Sequence, residues 1–144
     1  MNTKEMDKLH IFIGSWRTSG TIVSDDGNEP TKLAASDVYE WFPGKSFIVH
    51  HVNGSMGDAQ VKALEIFRFD EREGLILQSI DNGGRYSEYK AQLHGHSWNI
   101  KGSSERFEGK FNDDYTVLEG QWFTLQEGKG DKPWMQIKLK KEPD

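Results

Sequence analysis

Two neighbouring stretches of this 144-residue sequence carry side chains that could move a proton or hold a ligand. The first runs from Val38 to His51, VYEWFPGKSFIVHH. If Pro43-Gly44-Lys45 turns the chain through a loop of two or four residues, Tyr39 falls opposite His50, Trp41 opposite Ile48 and Phe42 opposite Phe47. Tyr39, Trp41, Ile48 and His50 then share one face; Val38, Glu40, Phe42, Phe47, Val49 and His51 share the other. Both faces are largely apolar. One must line an interior, and the other needs cover from an N-terminal helix or a second copy of the chain. Tyr39, Trp41 and His50 are expected inside, because tyrosine and histidine can turn polar tips toward a ligand or a trapped water. Ordinary packing around a hydrogen-bonded histidine is the competing reading.

The second stretch is Val61 to Asp70, in which Val61, Ala63, Glu65, Phe67 and Phe69 alternate with Lys62, Leu64, Ile66, Arg68 and Asp70. Turned inward, Glu65 is a buried carboxylate that needs a cation beside it or a proton of its own, and so a candidate acid, base or ligand anchor. Turned outward, it meets lysine or arginine on a neighbouring strand. The strand pattern by itself does not choose the face.

Other candidates are weaker. Tyr86, Glu88 and Lys90 alternate with Arg85, Ser87 and Tyr89; tyrosine inside and charges paired outside is the expectation. Arg106 reads as a surface or rim residue over an aromatic ring. His94-Gly95-His96 offers two imidazoles, too few for a metal, around a glycine that marks a turn. Cysteine is absent, which removes disulfides, thiolate metal sites and cysteine nucleophiles. There is no Walker loop, nucleophile elbow or dinucleotide fingerprint. No metal or cofactor is expected. Trp16, Phe67, Trp98, Phe107, Trp122 and Met135 are expected to join Tyr39, Trp41, His50, Glu65 and Tyr86 in lining a ligand site.

Turn signals set the frame that must position these residues. They fall at 24–30, 43–45, 53–58, 70–74, 81–84, 94–96, 102–104, 112–114 and 126–133, each gathering Gly, Pro, Asn or Asp. Ten strand-like stretches lie between and around them. Phe107, Gly109 and Phe111 oppose Arg106, Glu108 and Lys110; Met135, Ile137 and Leu139 oppose Gln136, Lys138 and Lys140. One dry and one wet face with short connections implies an antiparallel meander. Closure into a barrel removes its exposed edges. The expected fold is therefore all-β: one domain over residues 1–144, a closed up-and-down barrel of about ten strands. Residues 3–12 are the one helix candidate, with Thr3 as cap and Met6, Leu9, Ile13 and His10 on one side. In Gly14-Ser15-Trp16 the glycine turns the chain from helix into strand, and the tryptophan plugs one end of the barrel.

The net charge of −5 and the lack of a basic run argue against a nucleic-acid partner. No secretory signal or apolar run of about 18 residues is visible, so no membrane contact and a cytoplasmic location are expected.

Gly14-Ser15-Trp16 also resembles the opening signature of the calycins, the lipocalins and their relatives. Tyr39-Glu40-Trp41-Phe42-Pro43-Gly44 with Phe47-Ile48-Val49-His50 resembles a family of small, mostly bacterial lipocalin-like barrels. Arg106-Phe107-x-Gly109, Gly120-x-Trp122 and Trp134-Met135 fit the same pattern, and the resemblance runs from about Leu9 to Leu139. It implies an up-and-down barrel around a central cavity and brings no activity with it. Fatty-acid-binding barrels resemble the strand count, but their Arg-x-Tyr anchor is replaced here by Gln136-Ile137-Lys138-Leu139-Lys140. Nitrobindin-like haem barrels ligate iron through a histidine near the chain end, and here no histidine follows His96; His50 or His51 would be an unusual substitute. The leading expectation is a binder of a small hydrophobic or aromatic molecule in the barrel interior. A small-substrate isomerase, cyclase or hydrolase using His50, Tyr39 or Glu65 is the alternative. A filled barrel that pairs into a homodimer through its outer apolar face is the third.

Overall fold

The computed structural model describes residues 3–23 and 29–143. A short helix, α1 (Thr3–Asp7), runs into a 3-10 helix at Lys8–Phe12, and ten strands follow. They are β1 (Gly14–Ile22), β2 (Thr31–Trp41), β3 (Ile48–Met56), β4 (Ala59–Asp70), β5 (Gly74–Asp81), β6 (Tyr86–His94), β7 (Ser97–Lys101), β8 (Glu105–Phe111), β9 (Val117–Thr124) and β10 (Lys132–Lys141). Each strand pairs antiparallel with its neighbours in sequence, and β1 pairs with β10, so the meander closes into a barrel. The closed antiparallel barrel expected from the turn spacing is the observed fold. The expected Thr3 side-chain cap and most of the turn at 24–30 lie outside the described residues.

The β2–β3 hairpin has the expected register: Tyr39 faces His50, Trp41 faces Ile48, and the Phe42 amide donates to the Phe47 carbonyl. The next turn is shorter than the sequence implies. Asn53, Gly54 and Ser55 continue β3, and only Gly57 and Asp58 turn. Gly54 is needed for close approach rather than for bending. A Cβ there would lie 2.3 Å from the Ala34 carbonyl oxygen and 2.6 Å from Ala35 Cα.

The N-terminal segment closes one end. Its buried side chains are Met6, Leu9 and Phe12, not the Met6–Leu9–Ile13 set with His10. The reason is the tightening into a 3-10 helix, whose three residues per turn bring every third side chain to the same face. Phe12 enters the barrel and meets the rings of Tyr39, Phe67, Trp98 and Phe111 at centroid distances of 4.9 to 5.6 Å. Trp16, also inward and buried, donates its indole N–H to the Phe12 carbonyl at 2.8 Å. Gly14, at φ +128°, makes the entry into β1. Lys141 Nζ lies 5.6 Å from the Trp16 ring centre and completes this end from the last strand.

Two facing glycines shape the opposite wall. Gly109 of β8 and Gly120 of β9 are register partners, and the Phe107 ring fills the space a Cβ on either would take. Trp122 packs beside it, ring centres 5.2 Å apart. On the outside of β2–β6, Phe42, Phe47, Ile66, Ile80 and Tyr86 are exposed. The N-terminal segment covers the barrel end and leaves this outer strip open.

Candidate functional site

Inside the barrel, β2, β3 and β4 bring four polar residues together. The registers put Tyr39 opposite His50 and His50 opposite Glu65; Asp37 sits two residues before Tyr39 on the same inward face. His50 Nε2 lies 2.6 Å from Asp37 Oδ1, and His50 Nδ1 lies 3.0 Å from Glu65 Oε1. The Thr18 hydroxyl of β1 donates to Asp37 Oδ2. Tyr39 stacks on the imidazole at 3.9 Å with an 11° tilt, and Phe67 meets the same imidazole edge-on. Thr18, Asp37 and His50 are buried; Glu65 is 17% exposed.

An imidazole can donate to two carboxylates only when both nitrogens carry protons. Burial pulls the His50 pKa down, but the hydrogen bonds to Asp37 and Glu65, with their charges, outweigh it and raise it to about 9. His50 is therefore an imidazolium at neutral pH. Burial, then the charges of Asp37 and Glu65, push the Tyr39 phenol well above its ordinary range, so it keeps its proton.

This cluster forms part of the wall of a cavity of about 250 Å³. Its aromatic surface comes from Tyr39, Phe67, Trp98, Phe107 and Trp122. Leu33, Met56, Val61 and Met135 line it toward the end opposite the plug, where the inward positions of β2 and β4 become half-buried. Ser79 of β5, the register partner of Glu65, lines it as well. Among the described residues, the second oxygen of Glu65 and the hydroxyls of Tyr39 and Ser79 have no hydrogen-bond partner.

Of the residues named from sequence, Tyr39, His50, Glu65, Phe67, Trp98, Phe107, Trp122 and Met135 line this cavity. Trp16 lies below it in the plug. Trp41 stands at the plugged end, half-buried, its indole N–H 3.3 Å from His10 Nδ1. Tyr86 does not belong to the interior. It is 59% exposed and donates from its hydroxyl to Glu88. The pairing of Ile80 with Tyr86 places both outside, since Ser79 is inward, and the inward tyrosine of β6 is Tyr89. Tyr89 donates to Glu105 at 2.8 Å; burial, foremost, raises its pKa to about 12. Arg106 is a rim residue, its guanidinium 4.0 Å from the Phe123 ring centre and paired with Asp131 and Glu108. Gly95 forms a turn, and His96 stacks on Tyr115. Asp37, Thr18 and Ser79 were not singled out from sequence. Asp37 had a usable signal, because alternation through Ala35, Asp37, Tyr39 and Trp41 sets it on the face of Tyr39.

No family model matches the chain, and no curated protein matches it in sequence. Solved structures share its fold. The crystal structure of Rv2717c from M. tuberculosis superposes with a TM-score of 0.67 at 12% identity, over 96% of this chain and 98% of that one. A de novo designed fluorescence-activating β-barrel superposes with a TM-score of 0.52 at 11% identity, over 94% of this chain and 98% of that one. At these identities the likeness is one of fold.

Proposed function

We propose that the barrel binds a small, partly apolar molecule in its interior, its body against Phe67, Trp98, Phe107 and Trp122 and its polar end toward Glu65. The observation that carries this reading is the cavity itself, about 250 Å³ with aromatic walls and polar groups gathered on one side. Binding sites are typically apolar, of about 300 Å³ upward, with a few convergent polar groups, so the guest is small. Fold alone does not name a function, but a barrel of this shape has been designed to activate fluorescence, in keeping with an interior guest. Native mass spectrometry of protein purified from its own source tests the reading: a co-purifying small mass is expected. Trp98→Phe and Trp122→Phe should each weaken its retention. A protein that carries no guest and takes up no small aromatic probe would remove the proposal.

The 3.0 Å contact between His50 and Glu65 favours a second reading, a proton-transferring enzyme of the isomerase, cyclase or hydrolase type. In it Glu65, whose second oxygen is unpaired among the described residues, exchanges the proton with substrate. His50 and Asp37 act as positioning residues behind it. Deuterium exchange into a small aryl ketone in heavy water, lost in Glu65→Gln, would support this reading. Exchange no faster than in buffer across a panel of such ketones counts against it.

A further inference from the structure

The polar wall of the cavity has an unbalanced charge. Asp37 and Glu65 are two carboxylates against a single imidazolium, His50, leaving one negative charge inside the barrel. None of the described residues lining the cavity is lysine or arginine. Asp37 engages His50 with one oxygen and Thr18 with the other. Glu65 engages His50 with one oxygen, and its other has no partner among the described residues. Two further oxygens without partners there, the hydroxyls of Tyr39 and Ser79, belong to residues of the same cavity, and Tyr39 is only 5% exposed. The Glu65 side chain is only 17% exposed, and a carboxylate oxygen free to accept there is met best by a donor that carries positive charge.

Resting on the interior-binding reading above, we propose that the cavity selects small organic cations. A protonated amine meets Glu65 Oε2, and its hydrocarbon body lies among Tyr39, Trp98 and Trp122. An ammonium has three protons to place, and Glu65, Ser79 and Tyr39, residues that each carry an acceptor oxygen, line the same cavity. The aromatic rings offer the negative π-faces that attract cations, tryptophan most strongly. An organic anion would meet the excess negative charge already held there, and is disfavoured. A neutral alcohol of the same shape could hydrogen-bond to Glu65 but would leave the charge uncompensated. A bare divalent cation suits the site poorly, since calcium takes six to eight oxygens and magnesium an octahedral set.

Three probes with a common skeleton test this: 2-phenylethylamine, 2-phenylethanol and 3-phenylpropionate, followed by calorimetry and tryptophan fluorescence on the intact chain at pH 7. The amine is expected to bind roughly tenfold tighter than the alcohol, the strength of one charge-assisted hydrogen bond, and the carboxylate to bind least. In Glu65→Gln, with folding checked by near-UV circular dichroism, the amine should lose its advantage over the alcohol. The wild-type ranking decides even if that variant does not fold. Alcohol binding with no preference for the amine overturns the charge selection and leaves the cavity reading standing. An amine preference undiminished in folded Glu65→Gln also overturns it. Failure of all three probes to bind at millimolar concentration overturns both.

Discussion

His50 Nε2 contacts Asp37 Oδ1 at 2.6 Å although the two residues are not register partners: Asp37 faces Val52, and His50 faces Tyr39 and Glu65. The imidazole reaches diagonally across the β2–β3 pair with its ring flat on Tyr39. A histidine held this way ties its protonation to folding. Its pKa is raised from the unfolded value of 6.5 to about 9, so the folded chain binds the proton more tightly. The stabilisation is fully present below pH 6.5 and is lost as pH climbs through 9. A shift of this size corresponds to about 3 kcal/mol. Urea denaturation at pH 6 and at pH 9.5 should show the midpoint falling, and a midpoint that rises over this interval would show that His50 is not held as an imidazolium. Tyr39, also raised, extends the loss above pH 10 with the same sign.

Removing one carboxylate should expose its share of that shift. Asp37→Asn deletes the strongest of the contacts that raise the His50 pKa, while burial still opposes the charge. An NMR titration of the His50 ring should show its pKa moving down in the variant. Breaking one partner out of a buried ion pair costs on the order of 3–5 kcal/mol, so the variant should unfold at markedly lower denaturant. An unchanged His50 titration would mean that Glu65 alone holds the proton.

The glycine pair beneath Phe107 gives a steric prediction. In Gly120→Ala the new methyl would lie 2.2 Å from Phe107 Cζ and 2.5 Å from the Glu108 carbonyl oxygen. Overpacking of this kind costs about 1–3 kcal/mol, occasionally more. Because a backbone oxygen is among the obstructions, shrinking Phe107 at the same time should not restore stability. Gly130→Ala, with nothing within 4 Å of the added carbon, is the control, and an exposed change of this sort stays within roughly 0.5 kcal/mol.

Phe12→Ala removes the centre of the plug. Four aromatic rings lie against Phe12, and deletions of a buried phenylalanine typically cost about 3–5 kcal/mol. Thermal denaturation should show the loss. Tryptophan emission should shift to the red as water reaches Trp16 and Trp98 from this end. A variant with wild-type emission would mean that the segment covers the barrel without sealing it.

The barrel was legible because its signals are local. Nine turn clusters and two-residue alternation require only neighbouring residues to be read, and the antiparallel meander follows from short connections. The Tyr39–His50 pairing was legible for the same reason, since one tight turn fixes it. Three things were not. The Asp37–His50 contact depends on how far one side chain reaches diagonally, which no periodicity records. Tyr86 and Tyr89 each suit an inward face by composition; what separates them is the pairing carried through Ser79 and Ser87 after the 81–85 turn. Phe12 displaced Ile13 because the helix tightened to three residues per turn, a change driven by docking into the barrel end rather than by helix propensity.

The seam between β1 and β10 joins Trp16 to Lys141 and Ile22 to Met135, residues roughly 120 positions apart. While the chain is being synthesised, the earlier strands must wait as an open ribbon with both borders uncovered. The entropy of bringing such distant partners together grows only logarithmically with the span, so it penalises the final state modestly. It weighs more heavily on speed: closure comes late, and the half-made ribbon is most at risk of sticking to its own kind before the last strand arrives.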